Sequence, residues 1–274
     1  MSPLAEAPSP IRVAVSGALG RMGRQVVQAV LEAEGLSLVA AVDINQPGSD
    51  IGTAIGQAAV GVTIKPHLAD AIASSGAQVC VDFTHPNAVF ENAQTLLQAG
   101  CCPVIGTTGL STEQLETLSR LATQQNRGAL VVPNFALGAV LMMRFAQQAA
   151  KYFDHAEIIE YHHNQKADAP SGTALKTAQL MAATNPEFAK TNAPEHETLP
   201  GSRGGVGPAK LHIHSVRLPG YVAHQEVILG SPGQTLTIRH DSIDRACYMP
   251  GVVFAIRKVV SLSGLVYGLE TILD

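Results

Sequence analysis

The stretch Val13-Ala14-Val15-Ser16-Gly17-Ala18-Leu19-Gly20-Arg21-Met22-Gly23 constrains the fold more than any other part of the chain. Three glycines stand at three-residue spacing, directly after the β-rich run Ile11 to Val15. Directly behind them Val26, Val27, Val30 and Leu31 recur on one face of a predicted helix. In this context Gly17 permits a tight strand-to-helix turn, Gly20 lets backbone approach a pyrophosphate, and Gly23 allows helix to pack closely on strand. The first amides of the helix and its dipole then face the anion. The order is GxxGxxG, a variant of the commoner GxGxxG. Past Gly23, at the end of a second predicted strand, Leu36 to Val42, stands Asp43, where a carboxylate can accept hydrogen bonds from ribose hydroxyls. Strand, glycines, helix and terminal acid together predict a Rossmann-type, dinucleotide-binding start to an α/β chain.

The rhythm continues to about Phe135. Apolar runs at Val79–Phe83, Val104–Ile105 and Leu130–Val132 alternate with helical stretches at Ala88–Ala99 and Thr112–Ala122, and Ser111 with Gln114 offers a capping box. After a helical stretch from Leu137 to Ala150 the pattern changes. A strand at Ala156–Tyr161, a histidine-rich loop and a helix from about Thr173 precede a Pro/Gly-rich loop, Asn185–Pro208. Leu211–Val216, Tyr221–Leu229 and Thr235–Ile238 follow, separated by Leu-Pro-Gly and Ser-Pro-Gly turns, and read as consecutive antiparallel strands. Val252 to Leu265 reads as a helix returning to the first domain. The expected organisation is a disordered tail at 1–10, a dinucleotide-binding domain at 11–136 completed by 247–274, and a mixed α+β domain for substrate binding and oligomerisation at 137–246.

Charge narrows the partners. With 46% hydrophobic and 15% charged residues the chain has a core to bury, and 18 Lys+Arg against 22 Asp+Glu leave a net charge of −4. No overall positive field is available for a phosphate backbone, so nucleic acid is not an expected partner. No apolar run approaches the roughly 20 residues that cross a bilayer, and the opening MSPLAEAPSP has neither a basic start nor an apolar core. Cys80, Cys101, Cys102 and Cys247 lack the pattern of a disulfide framework and read as reduced thiols. A cytoplasmic, membrane-free protein is expected.

The densest chemistry lies in Glu160-Tyr161-His162-His163-Asn164-Gln165-Lys166-Ala167-Asp168-Ala169-Pro170-Ser171-Gly172-Thr173-Ala174. Two imidazoles and an ammonium precede a helix start whose free amides can bind a carboxylate. From the residues alone this is a site for a small polyanion with a proton donor beside it. His212 and His214 share one face of a strand and could join His162 or His163 around a metal. A polar sheet face explains them equally well, and no metal is expected.

Taken together, Gly17 to Gly23, Asp82-Phe83-Thr84, Gly106-Thr107-Thr108-Gly109, Pro133-Asn134-Phe135, the loop from Glu160 to Ala174 and His214-Ser215-Val216-Arg217 resemble the dihydrodipicolinate reductase family. The resemblance covers nearly the whole chain. It implies NADH- or NADPH-dependent reduction of 4-hydroxy-tetrahydrodipicolinate on the diaminopimelate route to lysine. His162 would be the general acid/base, Lys166 a second proton donor or a cation for the substrate, and His163, Gly172 and Thr173 the carboxylate clamp. Gly17, Ala18, Leu19, Gly20, Arg21, Met22, Asp43, Gly106, Thr107, Thr108, Val132, Pro133, Asn134 and Phe135 would line the nucleotide. A homotetramer built through the second domain is also implied. Some members carry arginine directly after the ribose-binding acid; Ile44 stands there, which argues for acceptance of NADH unless Arg21 or Arg24 reaches a 2′-phosphate. The alternatives are another two-domain dehydrogenase or a nucleotide sensor without chemistry.

Overall fold

A computed structural model describes residues 9–186, 188 and 196–273 of the chain. Residues 1–8 of the tail expected at 1–10 and part of the loop expected at 185–208 fall outside them. The chain divides into two compact units, Met1–Phe135 with Tyr248–Asp274, and Ala136–Cys247.

The first unit opens with β1 (Ile11–Ser16), α1 (Arg21–Glu32) and β2 (Leu36–Val42), then α2 (Ile51–Ala54), β3 (Ile64–Lys65) and α3 (Leu68–Ser75). It continues through β4 (Val79–Asp82), α4 (Val89–Gln98), β5 (Cys102–Ile105), α5 (Thr112–Gln124) and β6 (Gly128–Val131). All four residues of β4, of β5 and of β6 are buried. Helices covering both faces of a parallel sheet require such unbroken apolar strands. Alternate strand residues, among them Ala14, Cys80, Ile105 and Val131, pack with Ile72, Leu96, Leu97 and Leu118 of α3, α4 and α5. The Ser111–Gln114 capping box starts α5. Burial pushes the Cys101 thiol up to about 12 and the Cys80 thiol well above its ordinary range, so both behave as small apolar side chains.

The second unit contains α6 (Leu137–Ala149), β7 (His155–His162), α7 (Gly172–Thr184), β8 (Gly205–Val206), β9 (His212–Arg217), β10 (Ala223–Ser231) and β11 (Gln234–Ser242). Its sheet has the order β11-β10-β7-β9-β8. The expected run of consecutive antiparallel strands holds for β10 and β11, while β9 does not pair with β10. The two flank β7 instead, with β10 antiparallel and β9 parallel to it. Ala146, Ala150, Ala174, Ala178 and Met181, on or next to α6 and α7, meet Ile158, Ile213, Val227 and Leu229 on one sheet face, so β7, β9 and β10 share one core.

The chain then returns to the first unit with α8 (Met249–Val259) and β12 (Gly264–Tyr267). The stretch Val252–Leu265 is therefore not one helix. Gly264, at φ +85°, turns the chain into a strand that pairs with β6 in parallel. An apolar run carries no periodicity to separate the two conformations. The first sheet thus has the order β12-β6-β5-β4-β1-β2-β3, the doubly wound arrangement with one added strand, and its direction of winding reverses between β1 and β4. Among the described residues no helix is long and apolar enough to cross a membrane.

Candidate active site

In the first unit the carboxyl ends of the strands place the predicted nucleotide residues in one row. Gly17 has φ +76°, and a Cβ there would lie 2.4 Å from the Phe83 carbonyl oxygen. A Cβ on Gly23 would lie 1.9 Å from the Gly17 carbonyl oxygen, and one on Gly20 3.1 Å from the same atom. The turn is thus folded onto itself and onto the end of β4. The first turn of α1 has no acidic residue, so its free amides and the positive end of its dipole offer an anion site. Asp43 steadies the loop: Leu19 N donates to its Oδ2 at 2.8 Å, while Asn45 donates to its Oδ1 through N and Nδ2.

A cavity of about 450 Å³ opens here, lined among others by Gly17, Leu19, Gly20, Asp43, Ile44 and His85. Its size suits part of a dinucleotide, and Gly17 and Gly20 form part of its lining. Ala18 is buried, and Arg21 is exposed at the start of α1. Met22 is partly exposed in the same turn. Arg24 donates to the carbonyls of Leu19 and Ala54, at 3.0 and 2.8 Å, so its guanidinium braces the loop.

Gly106, Thr107, Thr108 and the segment Val132–Phe135 follow β5 and β6, next along the edge. Gly106 has the reason of close approach: a Cβ would sit 2.2 Å from the Phe83 ring, which itself lies 5.5 Å from the ring of Phe135. Thr108 and Pro133 are exposed, Asn134 is partly exposed, and Val132 and Phe135 are buried. The Thr107 hydroxyl is drawn inward and donates to Asp82 Oδ1 at 2.8 Å. Asp82 is 1% exposed and also accepts from Thr84 Oγ1 and Asn92 Nδ2, at 2.7 and 2.8 Å, so a buried carboxylate ties β4, β5 and α4 together. The motif Asp82-Phe83-Thr84 had no role from the residues alone; an acid ending an otherwise apolar strand was the available signal.

In the second unit β7 delivers Glu160 and His162 to the same side of the sheet, two residues apart. Glu160 is fully buried and bonds to Nδ1 of His162. Parallel pairing sets His162 opposite Arg217 of β9. Arg217 grips Glu160 as a fork, Nη2 to Oε1 at 2.7 Å and Nη1 to Oε2 at 2.9 Å. Burial alone would raise the Glu160 pKa, but hydrogen bonds from His162, Arg217 and Ser215 outweigh it and hold the carboxyl down at about 2. Arg217 Nη2 also donates to the Asp168 carbonyl at 2.7 Å, fastening the loop that carries Lys166. The Lys166 ammonium lies on the Asp168 carboxylate at 2.7 Å. His163 is exposed.

Ser171 caps α7 through Ala174 N, at 3.2 Å, and Gly172 and Thr173 form the first turn. His162, Lys166, Gly172 and Thr173 lie on one segment between β7 and the start of α7, and the structure adds Glu160 and Arg217, to which the residues alone gave no role. An acid two positions before a histidine on a predicted strand was the available signal, and its arginine partner lies 57 positions away. His212 and His214 are engaged elsewhere, Nδ1 with the Arg203 carbonyl and Nε2 with Glu157, and among the described residues no group of His, Cys, Asp and Glu is placed to hold a metal ion.

A doubly wound nucleotide-binding unit followed by a mixed-sheet unit with a cationic, histidine-bearing loop defines a two-unit nicotinamide-dependent oxidoreductase. Comparison with known proteins makes the assignment particular. The chain belongs to the dihydrodipicolinate reductase family: the models of its N-terminal and C-terminal regions match residues 11–135 and 138–273. It is 52% identical over 269 residues to the 4-hydroxy-tetrahydrodipicolinate reductase of Synechocystis sp., covering 96% of this chain and 98% of that one. The same enzyme of Desulfitobacterium hafniense is 51% identical over 265 residues, covering 96% and 99%. A dipicolinate-bound dihydrodipicolinate reductase from Paenisporosarcina sp. TG-14 superposes with a TM-score of 0.88 at 46% identity, over 96% of this chain and 100% of that one. An amine dehydrogenase from Mycobacterium smegmatis, at 16% identity and a TM-score of 0.66, shares the fold alone.

Proposed function

We propose that the protein is an oxidoreductase that reduces 4-hydroxy-tetrahydrodipicolinate, by way of dihydrodipicolinate, to tetrahydrodipicolinate, drawing hydride from NADH or NADPH on the diaminopimelate route to lysine. The observation that carries this reading is the loop from Glu160 to Thr173, whose His162 imidazole, Ser171 amide and Asp168 carbonyl are tied to a Glu160–Arg217 pair with Glu160 fully buried. When bound, the nicotinamide supplies hydride from C4. The glycine turn and the first turn of α1 hold the pyrophosphate, Asp43 the adenosine ribose, and Gly106 to Thr108 with Val132 to Phe135 the nicotinamide end. Arg21 and Met22 contribute through the backbone of that first turn. Since Thr107 spends its hydroxyl on Asp82, it contributes backbone and shape rather than a hydroxyl donor.

The substrate intermediate is a cyclic imine conjugated to an alkene and flanked by two carboxylates. Hydride addition places negative charge where nitrogen and a carboxylate can share it, and His162 or Lys166 then delivers the proton that completes reduction. His163, the Gly172 amide and the Thr173 hydroxyl hold the carboxylates. The decisive assay supplies freshly generated substrate and follows nicotinamide oxidation with each cofactor. Oxidation of neither would reject the reductase reading. A homotetramer formed through the second unit, acting in the cytoplasm, completes the reading, and light scattering of the purified protein measures its mass.

Gly172 offers a sharp test of the clamp. An added Cβ meets nothing within 4 Å, so Gly172→Ala should leave the melting temperature unchanged. If Gly172 N holds a substrate carboxylate, the added methyl crowds it and should raise the substrate KM about tenfold, about 1.4 kcal/mol of binding. An unchanged KM in steady-state assays would place the carboxylate elsewhere.

Ile44 tests cofactor choice. It is 83% exposed beside Asp43, and Arg24 is committed to backbone carbonyls. Ile44→Arg should raise kcat/KM for NADPH relative to NADH by about tenfold, since a guanidinium pairs with a 2′-phosphate that a lone acid repels. A ratio that does not move would show that discrimination lies away from this position.

A further inference from the structure

We propose that Glu160, held by Arg217, is the positioning residue that fixes the tautomer of His162 and leaves Nε2 as the nitrogen that handles the proton. The inference rests on the reading of His162 as the proton donor and adds what makes one of its two nitrogens the working one.

Glu160 is fully buried and accepts bonds from every side. Its Oε2 takes His162 Nδ1 and Arg217 Nη1, and its Oε1 takes Arg217 Nη2 and Ser171 N. A carboxyl held at about 2 carries no proton at neutral pH. An ionised carboxylate only accepts, so the proton in its bond to the ring must sit on Nδ1. A neutral ring then has its lone pair on Nε2, and a charged ring gives up its proton from there. Arg217 makes this arrangement durable. Its planar fork fixes both carboxylate oxygens, and its charge offsets that of Glu160, so the acid orients the ring without an uncompensated buried charge. The other charged groups of this segment, Lys166 and Asp168, pair with each other and leave the carboxylate to His162 and Arg217. A second bond from Arg217 Nη2, to the Asp168 carbonyl, ties the same fork to the loop bearing Lys166.

The arrangement has three parts from two stretches of sequence: the acid and the base from alternate positions of β7, and the guanidinium from the parallel neighbour β9. Glu160 touches no reacting atom and acts through His162. Its effect should therefore fall on kcat and disappear when the imidazole is gone.

The test compares Glu160→Gln, Glu160→Asp, His162→Gln and the double variant Glu160→Gln/His162→Gln in the full-length protein. Glu160→Gln should lower kcat about 100-fold, a typical scale for acid–base assistance, with the nicotinamide KM unchanged. Glu160→Asp should recover part of the loss, and the double variant should be no slower than His162→Gln alone. Normal kcat in Glu160→Gln beside an inactive His162→Gln would overturn the positioning role and spare the reading of His162. Normal kcat in His162→Gln would overturn both, and losses that multiply in the double variant would show that Glu160 acts by another route. Since breaking a buried pair can prevent folding, a second measurement uses the unmodified protein. In 15N-histidine-labelled protein, with the His162 signals assigned by their loss in His162→Gln, the neutral ring should carry its proton on Nδ1. A ring protonated on Nε2 would overturn the proposal.

Discussion

His162→Gln should lower kcat by about 10²- to 10⁴-fold, the range by which a positioned proton donor accelerates a reaction, while the KM for NADH or NADPH stays within about twofold. Glutamine keeps a polar end near the position of the ring but cannot exchange a proton near neutral pH. His162 is assigned to proton delivery and not to holding the nucleotide, so the cofactor constant should not move. Steady-state assays with substrate and cofactor varied separately make the check. An unchanged kcat would transfer the proton to Lys166 or to water.

Gly23→Ala should be nearly as damaging for a different reason. The new Cβ would fall 1.9 Å from the Gly17 carbonyl oxygen, 2.8 Å from its carbon and 2.9 Å from the Ala18 Cα. All three are backbone atoms of the turn, so no side chain can rotate away. Relief requires α1 to shift off the turn, which also displaces the amides proposed to hold the pyrophosphate. Overpacking of this kind costs about 1–3 kcal/mol or more, equivalent to a fall of about 3–10 °C in the melting temperature. Nicotinamide nucleotide affinity, read by fluorescence titration, should weaken by about tenfold or more, because the shift moves the anion site directly. Normal affinity with a normal melting temperature would show that the turn tolerates the methyl and that its glycine spacing is not required here.

The two variants probe parts of the molecule that differ in how they could be read. The glycine turn is local: strand, turn and helix lie within some twenty positions, and the steric reason for each glycine is met by atoms of the same turn or of β4. The same holds for the Ser111–Gln114 capping box, where both partners lie within one helical turn. The elements between Asp43 and Val79 were not legible. α2 and β3 are four and two residues long and carry no periodicity to detect. β12 was hidden inside an apolar run that suits helix and strand alike until Gly264 breaks it. β9 was read as a strand but not with its neighbour, since register and direction depend on which strand covers which part of the core.

In the site, His162 and Lys166 stood out because charged and imidazole side chains crowd one loop. Glu160 and Arg217 did not, because their importance lies in a contact between β7 and β9. Arg24 offered a 2′-phosphate partner on paper and proved to brace the Leu19 and Ala54 carbonyls. Thr107 offered a hydroxyl and proved to have spent it on Asp82.

The sequence by itself determined that this chain starts with a doubly wound nucleotide-binding fold and carries a loop suited to a small dicarboxylate, since both follow from residues close together along the chain. Only the tertiary structure decided which acid meets which base, how Arg217 is shared between Glu160 and the Asp168 carbonyl, and that Asp82 ties three elements beneath the nucleotide edge. The reason is physical. Buried charges are stable only when partners converge on them from several elements, and that convergence is set by strand order and register rather than by spacing along the chain.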